Sequence, residues 1–316
     1  MRALVVGGAG FIGSHLCDAL LEEGHAVICM DNLSLGTRDN IAHLEENGNF
    51  CFYEADASQP EDVKKIFEDE HIEYVFHLAA NSDIQASAEN PEVEYRNTYT
   101  TTFQILLAMK KYNVKRLFFA STSAVYGDKQ DVLLVEDTPG LAPISYYGAA
   151  KLGSEALIHA FTYMNDLKTL VFRFPNVIGP RLTHGVIFDF IRKLRKDSTH
   201  LRILGDGRQT KPYIYVTDLI NAIMWFQGKA ESGVSIYNVG VEGTTSVTAI
   251  ADIMCEEMKL SEVVYEYTGG EGGWKGDVPH FQYCIDKIHN AGWKAIHTSD
   301  EAVRETIRQN IGGECV

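Results

Sequence analysis

Tyr147 and Lys151 stand four residues apart in the run Ser145-Tyr146-Tyr147-Gly148-Ala149-Ala150-Lys151. On a helix that spacing places both side chains on one face, one turn apart, with Tyr146 out of register. A free tyrosine titrates near ~10 and is a poor base at neutral pH, but a neighbouring ammonium favours the phenolate and makes the group usable as a general base. Upstream, the apolar run Leu117 to Ala120 leads into Ser121-Thr122-Ser123-Ala124-Val125-Tyr126-Gly127. Hydroxyls at the carboxyl end of a parallel strand face the site in doubly wound sheets. One of them is placed to hydrogen-bond a substrate oxygen that Tyr147 deprotonates.

A second constellation opens the chain. Ala3 to Val6 reads as a short, wholly apolar strand of the kind buried in a parallel sheet, and Gly7, Gly10 and Gly13 follow it. A helix with apolar positions Leu16, Leu20 and Leu21 comes next. The first glycine permits the turn off the strand, the second lets a pyrophosphate approach the backbone, and the third lets helix and strand pack closely. The helix N-terminus offers unpaired N–H groups and a partial positive charge to the phosphates. Ala26 to Met30 forms a second apolar strand that ends at Asp31. A carboxylate there accepts hydrogen bonds from both ribose hydroxyls of an adenosine and repels a 2′-phosphate, which favours NAD over NADP. Arg38, nearby, keeps NADP open. With a nicotinamide cation in the site, the phenolate of Tyr147 gains further support.

The elements that position these groups alternate. Strands are expected at Phe50 to Glu54, Tyr74 to Ala80, Arg116 to Ser121 and Thr169 to Arg173, and helices at Pro60 to Glu70, Val93 to Tyr112 and Ser145 to beyond Phe161. Such alternation implies right-handed βαβ crossovers and a doubly wound parallel sheet. Beyond residue 200 the pattern is less regular. Strand and turn are expected at Leu201 to Gly207, and helices at Asp218 to Phe226, at Ser246 to Met258 with caps at Ser246 and Thr248, and from Ser299. We expect an NAD-binding domain over residues 1–174, with 213–240 packing back onto it, and a substrate domain over 175–316.

At 316 residues with 45% apolar and 22% charged residues, the chain has ordinary globular composition. A formal charge of −15 argues against nucleic acid as a partner. No run reaches transmembrane length, and the six cysteines show neither paired CxxC nor zinc spacing. A reduced, cytoplasmic protein without membrane association or a metal centre is expected.

In order along the chain, Gly7-x-x-Gly10-x-x-Gly13, Asp31-Asn32-Leu33, Asp56-Ala57, His77-Leu78-Ala79-Ala80, Asn97, the Ser121 to Gly127 run and Tyr147-x-x-x-Lys151 resemble the extended short-chain dehydrogenase/reductase superfamily. Arg173 to Arg181 and Gly205-Asp206-Gly207-x-x-x-Lys211-x-Tyr213-x-Tyr215-Val216-x-Asp218 are similar too. Within the superfamily, the chain resembles nucleotide-sugar epimerases of the UDP-glucose 4-epimerase type. The resemblance covers essentially the whole chain. It implies an α/β fold, a Rossmann-like doubly wound parallel sheet with a smaller α/β substrate-binding domain.

The resemblance further implies cofactor contacts at Gly7, Gly10, Phe11, Ile12, Gly13, Asp31, Asn32 and Leu33, an adenine contact at Asp56 and Ala57, and more cofactor contacts at Leu78, Ala79, Ala80, Tyr147, Lys151 and Phe174. Asn97 would support the site from below. Thr122 becomes the catalytic hydroxyl beside Tyr147 and Lys151, with Ser123 a close second. Substrate contacts are implied at Ser82, Thr122, Ser123, Tyr147, Asn176, the backbone around Val186 and Ile187, and Lys211. Phe281 falls where a large side chain narrows the pocket against N-acetyl groups.

Two departures bear on mechanism. Gly272, Gly273 and Trp274 stand where relatives often carry an arginine for the pyrophosphate, leaving Lys275 there and Arg181 or Lys211 to compensate. Ala124 stands where related dehydratases and decarboxylases place an acidic residue. The expected activity is therefore an NAD-dependent 4-epimerisation of a UDP-sugar of the glucose/galactose type, by a homodimer built on the helices containing Thr100 to Leu107 and Leu152 to Phe161. Epimerisation of UDP-N-acetylglucosamine or UDP-glucuronate, and dehydration or ketosugar reduction on the same scaffold, are the alternatives. An NAD-sensing protein that does no chemistry would have no use for Thr122, Tyr147 and Lys151 together.

Overall fold

The computed structural model describes all residues except 82–83, 230–231, 271–272, 274–275 and 313–316. In chain order it begins β1 (Arg2–Val6), α1 (Phe11–Glu22), β2 (Ala26–Asp31), β3 (Phe50–Glu54), α2 (Pro60–Asp69) and β4 (Tyr74–His77). Short helices α3 (Ile84–Ser87) and α4 (Glu92–Glu94) lead through a π-helical segment (Tyr95–Thr100) into α5 (Thr101–Lys111) and β5 (Arg116–Thr122). Then come β6 (Leu133–Leu134), α6 (Tyr146–Asn165), β7 (Lys168–Phe174), β8 (Asn176–Ile178), α7 (Val186–Lys196), β9 (His200–Ile203), β10 (Thr210–Lys211), β11 (Tyr213–Tyr215) and α8 (Val216–Phe226). The chain continues with β12 (Gly233–Asn238), β13 (Thr245–Ser246), α9 (Val247–Met258), β14 (Val264–Tyr267), β15 (Gln282–Tyr283), α10 (Asp286–Asn290) and α11 (Ser299–Gly312).

These elements divide into two units, one of Met1–Gly127, Leu141–Arg173 and Ile220–Tyr237, the other of Asp128–Gly140, Phe174–Leu219 and Asn238–Val316. The first is organised by a seven-stranded sheet in the order β12-β7-β5-β4-β1-β2-β3. Pairing is parallel between β1 and β2, β1 and β4, β2 and β3, and β4 and β5. The order turns back at β1, where β2 and β4 flank it on opposite sides, so the switch point of the sheet falls at the loop carrying Gly7. Strand residues Leu4, Val6, Ile28, Met30, Val75, Leu117 and Phe119 pack against Ile105, Leu106 and Met109 of α5 and Ile158 of α6. These strands carry unbroken apolar runs because both faces of a parallel sheet are covered. The α/β fold is thus the one the sequence pattern implied.

The second unit has its own core. Ile187, Phe190, Ile191 and Leu194 of α7 pack with Ile250 and Met254 of α9 and Val303 and Ile307 of α11. Three parallel strand pairs (β11 with β8, β14 with β9, β15 with β6) and an antiparallel pair (β10 with β13) tie it together.

Three local readings are corrected. The expected helix from Val93 to Tyr112 is broken into α4, the π-helical segment and α5. Its threonines explain the break: Thr101 Oγ1 donates to the carbonyls of Asn97 and Thr98, and Thr102 Oγ1 to that of Thr98, at 2.9–3.0 Å. Hydroxyls that occupy helix carbonyls compete with the regular backbone ladder. Thr248 is not a cap of α9. Ser246 Oγ accepts from the Ala249 N–H at 3.0 Å, while Thr248 Oγ1 donates to the Gly207 carbonyl. Strand β12, absent from the sequence reading, takes the sheet edge beside β7.

Candidate active site

Helix α6 begins at an N-cap, with Ser145 Oγ accepting from the Gly148 N–H at 3.1 Å. Gly148 is required by packing, because a Cβ there would lie 2.6 Å from the Ala124 carbonyl oxygen. The first turn of α6 therefore presses against the 3₁₀ turn Ser123–Tyr126 that follows β5. This contact brings Thr122 and Tyr147 together, close enough for the Thr122 hydroxyl to favour the Tyr147 phenolate. Thr122 Oγ1 also accepts from the Ala124 N–H at 3.2 Å, which fixes its rotamer at the strand end. Ser123 heads the same turn, half-buried.

Lys151, one turn further along α6, is 1% exposed. Its Nζ donates to the Ala120 carbonyl at 2.6 Å and lies 4.6 Å from the Phe119 ring centroid and 6.0 Å from that of Tyr147. Burial pulls its pKa down to about 7, against the opposing charges of Glu94 and Glu155. Burial also pushes the Tyr147 phenol above its ordinary value, helped by the charge of Glu94 and opposed by the Thr122 hydrogen bond. The sequence pattern has a neighbouring ammonium and a nicotinamide cation together favour the phenolate, whereas the protein's own groups leave the phenol raised. The ammonium is turned to a carbonyl, and desolvation outweighs its attraction for a phenolate.

Beneath this pair, Glu155 and Arg173 form a buried ion pair at 2.7 Å, with a second bond from Arg173 Nε at 3.1 Å. Arg173 also donates to the Tyr126 hydroxyl at 2.9 Å, and Ser121 donates to Glu155. The network joins α6, β7, β5 and the turn after it, and holds Tyr147 and Thr122 on a fixed base.

The glycine loop fits a dinucleotide. Gly7 has φ +84° and a Cβ there would lie 2.7 Å from Ala79 N, while one at Gly13 would lie 2.0 Å from the Gly7 carbonyl. Both glycines are thus demanded by the protein's own packing. A Cβ at Gly10 would meet only the Gly7 carbonyl, at 3.3 Å, so the space above Gly10 is kept for something outside the protein. Gly10 caps α1 without a side-chain bond, leaving the N-terminus at Phe11 and Ile12 facing that space. Asp31, at the end of β2, is 8% exposed and accepts from Ala9 N at 3.0 Å and Leu33 N at 2.8 Å. Burial raises its pKa, with those backbone N–H groups opposing. Asn32 accepts from Ser34 N through its side chain. Arg38 is paired with Glu45 at 2.8 Å and lies over the Phe52 ring, so the nearby cation is engaged elsewhere.

Leu78 and Ala79 donate to the Val6 carbonyl, which places Leu78, Ala79 and Ala80 beside the glycine turn at the end of β4. Asp56 pairs with Arg96 at 2.6 Å and accepts from Ser58 N, and Ala57 is buried. Asn97 sits in the π-helical segment, its carbonyl engaged by Thr101.

In the second unit, Asn176 lies opposite Tyr213 in the β8–β11 register, where its side chain favours the ionised form of the buried Tyr213 phenol. Val186 and Ile187 open α7 just after Gly185, which has φ +99° and no capping side chain. Ile187 faces the core rather than outward. Lys211, expected as a substitute cation for the diphosphate, is ion-paired with Asp277, whose other oxygen accepts from Gly273 N at 3.2 Å. Phe281 is 8% exposed and stands edge-on to Tyr283 at 5.5 Å, and the Tyr283 hydroxyl donates to the carbonyl of Phe174. Ser82, Gly272, Trp274 and Lys275 lie outside the described residues.

Glu94 escaped the sequence reading, and His77 entered it only as part of the His77 to Ala80 run, without a role of its own. Glu94 is a buried carboxylate whose charge acts on both Tyr147 and Lys151. Its neighbours in sequence, Glu92-Val93-Glu94-Tyr95-Arg96, read as a solvated face and carry no sign of burial. His77 is buried, bonds Thr102 through Nε2 at 3.0 Å and has no partner at Nδ1 among the described residues. Burial, with Lys151 adding, pulls its pKa down to about 3, so it stays neutral.

Comparison with known proteins agrees with this geometry. The sequence profile described as the NAD dependent epimerase/dehydratase family matches residues 3–240. The chain is 34% identical to the UDP-glucuronate 4-epimerase of Thermodesulfobacterium geofontis over 319 residues, covering 98% of this chain and 96% of that protein. Among solved structures, the UDP-glucose 4-epimerase of Thermotoga maritima with UDP-glucose superimposes with a TM-score of 0.87 at 33% identity, covering 99% of each chain. The Thermus thermophilus UDP-glucose 4-epimerase in complex with NAD gives 0.88 at 28% identity, covering 99% of this chain and all (100%) of that one.

Proposed function

The chain belongs to the NAD dependent epimerase/dehydratase family, and from that premise we propose that it is a 4-epimerase of UDP-sugars, with UDP-glucose and UDP-galactose as the exchanging pair. The observation that carries the reading is the Thr122 hydroxyl acting on Tyr147, one helical turn from the buried Lys151, beside a methyl group at Ala124.

When bound, NAD accepts a hydride from the sugar C4 and returns it. Tyr147 takes the proton of the 4-hydroxyl as that oxygen becomes a ketone and gives it back afterwards. Thr122 orients the same oxygen and keeps the phenol aimed at it, with Ser123 as the adjoining donor. Lys151 supplies positive charge near the phenolate. Asp31 receives the adenosine ribose, and Gly7, Gly10 and Gly13 keep side chains away from the diphosphate. Asp56, Ala57, Leu78, Ala79, Ala80 and Asn97 complete the cofactor surface of the first unit.

The second unit is assigned to the nucleotide end of the substrate, with Asn176, the backbone at Val186 and Ile187, and Lys211 as contacts and Phe281 as the wall that limits sugar size. Inversion needs the keto sugar to present its other face, so the substrate must be anchored through its nucleotide rather than its ring. Elimination needs an acid beside the leaving group, and Ala124 supplies none at the position where related dehydratases carry one. Exposed Phe103 and Leu107 on α5 and Tyr163 and Met164 on α6 support a homodimer built on these helices. Among the described residues no helix is long and apolar enough to cross a membrane, and with five free thiols this supports a cytoplasmic protein.

The test is product analysis after incubation with a panel of UDP-sugars. Unchanged mass with inverted C4, fastest on UDP-glucose or UDP-galactose, is the expected result. A product lighter by one water or one carbon dioxide overturns epimerisation. Preference for UDP-glucuronate or an N-acetylated sugar overturns the substrate assignment alone.

A further inference from the structure

The first unit buries two opposite charges that have no ionic partner of their own among the described residues. Glu94, the last residue of α4, is 1% exposed. Its Oε1 accepts from Asn81 Nδ2 and its Oε2 from Thr98 Oγ1, both at 2.8 Å. The two donors are themselves joined, Asn81 N–H to Thr98 Oγ1 at 3.2 Å. Both are neutral, and Glu94 makes no ion pair among the described residues. Lys151 is its mirror image, an equally buried ammonium bonded to a neutral carbonyl.

A buried charge without compensation is costly, and a group left in that state gives up its charge instead. Glu155, the other buried carboxylate near Lys151, is already matched by Arg173. His77, facing Lys151 from β4, is neutral, and Tyr147 is a phenol. Arg96, on the turn after Glu94, is engaged with Asp56 and Ser58. Among the described residues, only Glu94 remains to balance Lys151.

We propose that Glu94 is a positioning residue of the active site, the counter-charge that keeps Lys151 an ammonium beside Tyr147. Its field raises the pKa of both groups in this structure. With both carboxylate oxygens held by fixed donors, it serves as a standing charge and not as an acid toward substrate. The inference rests on the assignment of Tyr147 and Lys151 as the reacting pair, but its first test needs no turnover.

That test is a pH titration of the full chain labelled with ¹⁵N at the lysine Nζ, the Lys151 signal being identified by its absence in Lys151→Met. In Glu94→Gln the Lys151 midpoint should fall by on the order of one pH unit, whereas Glu94→Asp, which keeps the charge, should largely restore it. An unmoved midpoint in Glu94→Gln overturns the proposal. Should that variant not fold, the unaltered protein decides. The Lys151 amine must still be an ammonium at about pH 6, a unit below the value of about 7 to which burial brings it with Glu94 in place, and an amine already neutral there overturns the proposal. In a turning-over enzyme, removing one negative charge should move both limbs of the kcat/KM profile toward acid. Reduced amplitude with unmoved limbs is the signature of packing alone and overturns it too. Absence of any turnover in the unaltered protein bears on the epimerase assignment only.

Discussion

Lys151 Nζ donates to the carbonyl of Ala120, two residues before Thr122, so the helix that carries Tyr147 is tied to the strand end that carries its hydroxyl partner. Substituting Tyr147→Phe leaves this tie and the Ser145 cap intact and removes only the phenol oxygen on which Thr122 acts. Turnover should fall by roughly 10²–10⁴-fold, the usual worth of a positioned general acid–base group. NAD content and thermal stability should stay near those of the parent. Near-normal turnover in steady-state assays would remove Tyr147 from the chemistry.

Burial of Lys151 also predicts a pH dependence of stability. Its pKa is lowered from an ordinary 10.5 to about 7 in the folded chain. Between those values the unfolded state binds the extra proton, so this group makes unfolding free energy rise with pH. Its contribution is fully present above 10.5 and lost as pH falls through 7. Denaturation of Lys151→Met, compared with the parent at several pH values from 7 to 10, isolates the effect. The stability difference between the two should change with pH in this window, and a constant difference would refute the burial argument.

What the sequence disclosed was what local spacing encodes. Gly7, Gly10 and Gly13 sit within seven residues, and Tyr147 and Lys151 one helical turn apart, so their juxtaposition needs no knowledge of distant chain. Glu94 and Lys151 are brought together by packing of separate helices, and each is bonded to a neutral group, which leaves no charge pattern in the sequence to find. Lys211 and Asp277 pair across 66 residues. The π-helical segment arises from threonine hydroxyls competing for carbonyls, an effect that apolar periodicity does not register. Strand β12 follows a helix and completes the sheet edge at β7, a placement settled by tertiary pairing.

Gly148 offers a test of how closely α6 must approach the turn after β5. The methyl of Gly148→Ala would lie 2.6 Å from the Ala124 carbonyl oxygen, a backbone atom that cannot swing aside. Overpacking of this kind costs ~1–3 kcal/mol. The helix start must retreat, and with it Tyr147 from Thr122, and a displacement near 1 Å is worth ~10²-fold in rate. We expect a lowered denaturation midpoint together with a reduced kcat. Full activity in this variant would show that the turn yields without disturbing the pair.

The ion pair of Lys211 with Asp277 makes a sharper demand on substrate binding. If Lys211 is the cation for the substrate diphosphate, its ammonium must be shared with Asp277 or drawn from it when the nucleotide binds. Lysine contacts phosphate as a point charge, whereas arginine does so through two parallel bonds. Lys211→Met should therefore raise KM for the UDP-sugar by roughly 10–100-fold, the value of ~1.5–3 kcal/mol for a hydrogen bond to a charged group. The kcat should change little, because the diphosphate is held alike in the ground and transition states. Lys211→Arg should recover most of the affinity. Asp277→Asn, which frees the ammonium, should lower KM if competition for Lys211 limits binding. An unchanged KM in Lys211→Met would assign the diphosphate to another cation, with Arg181 the first to substitute.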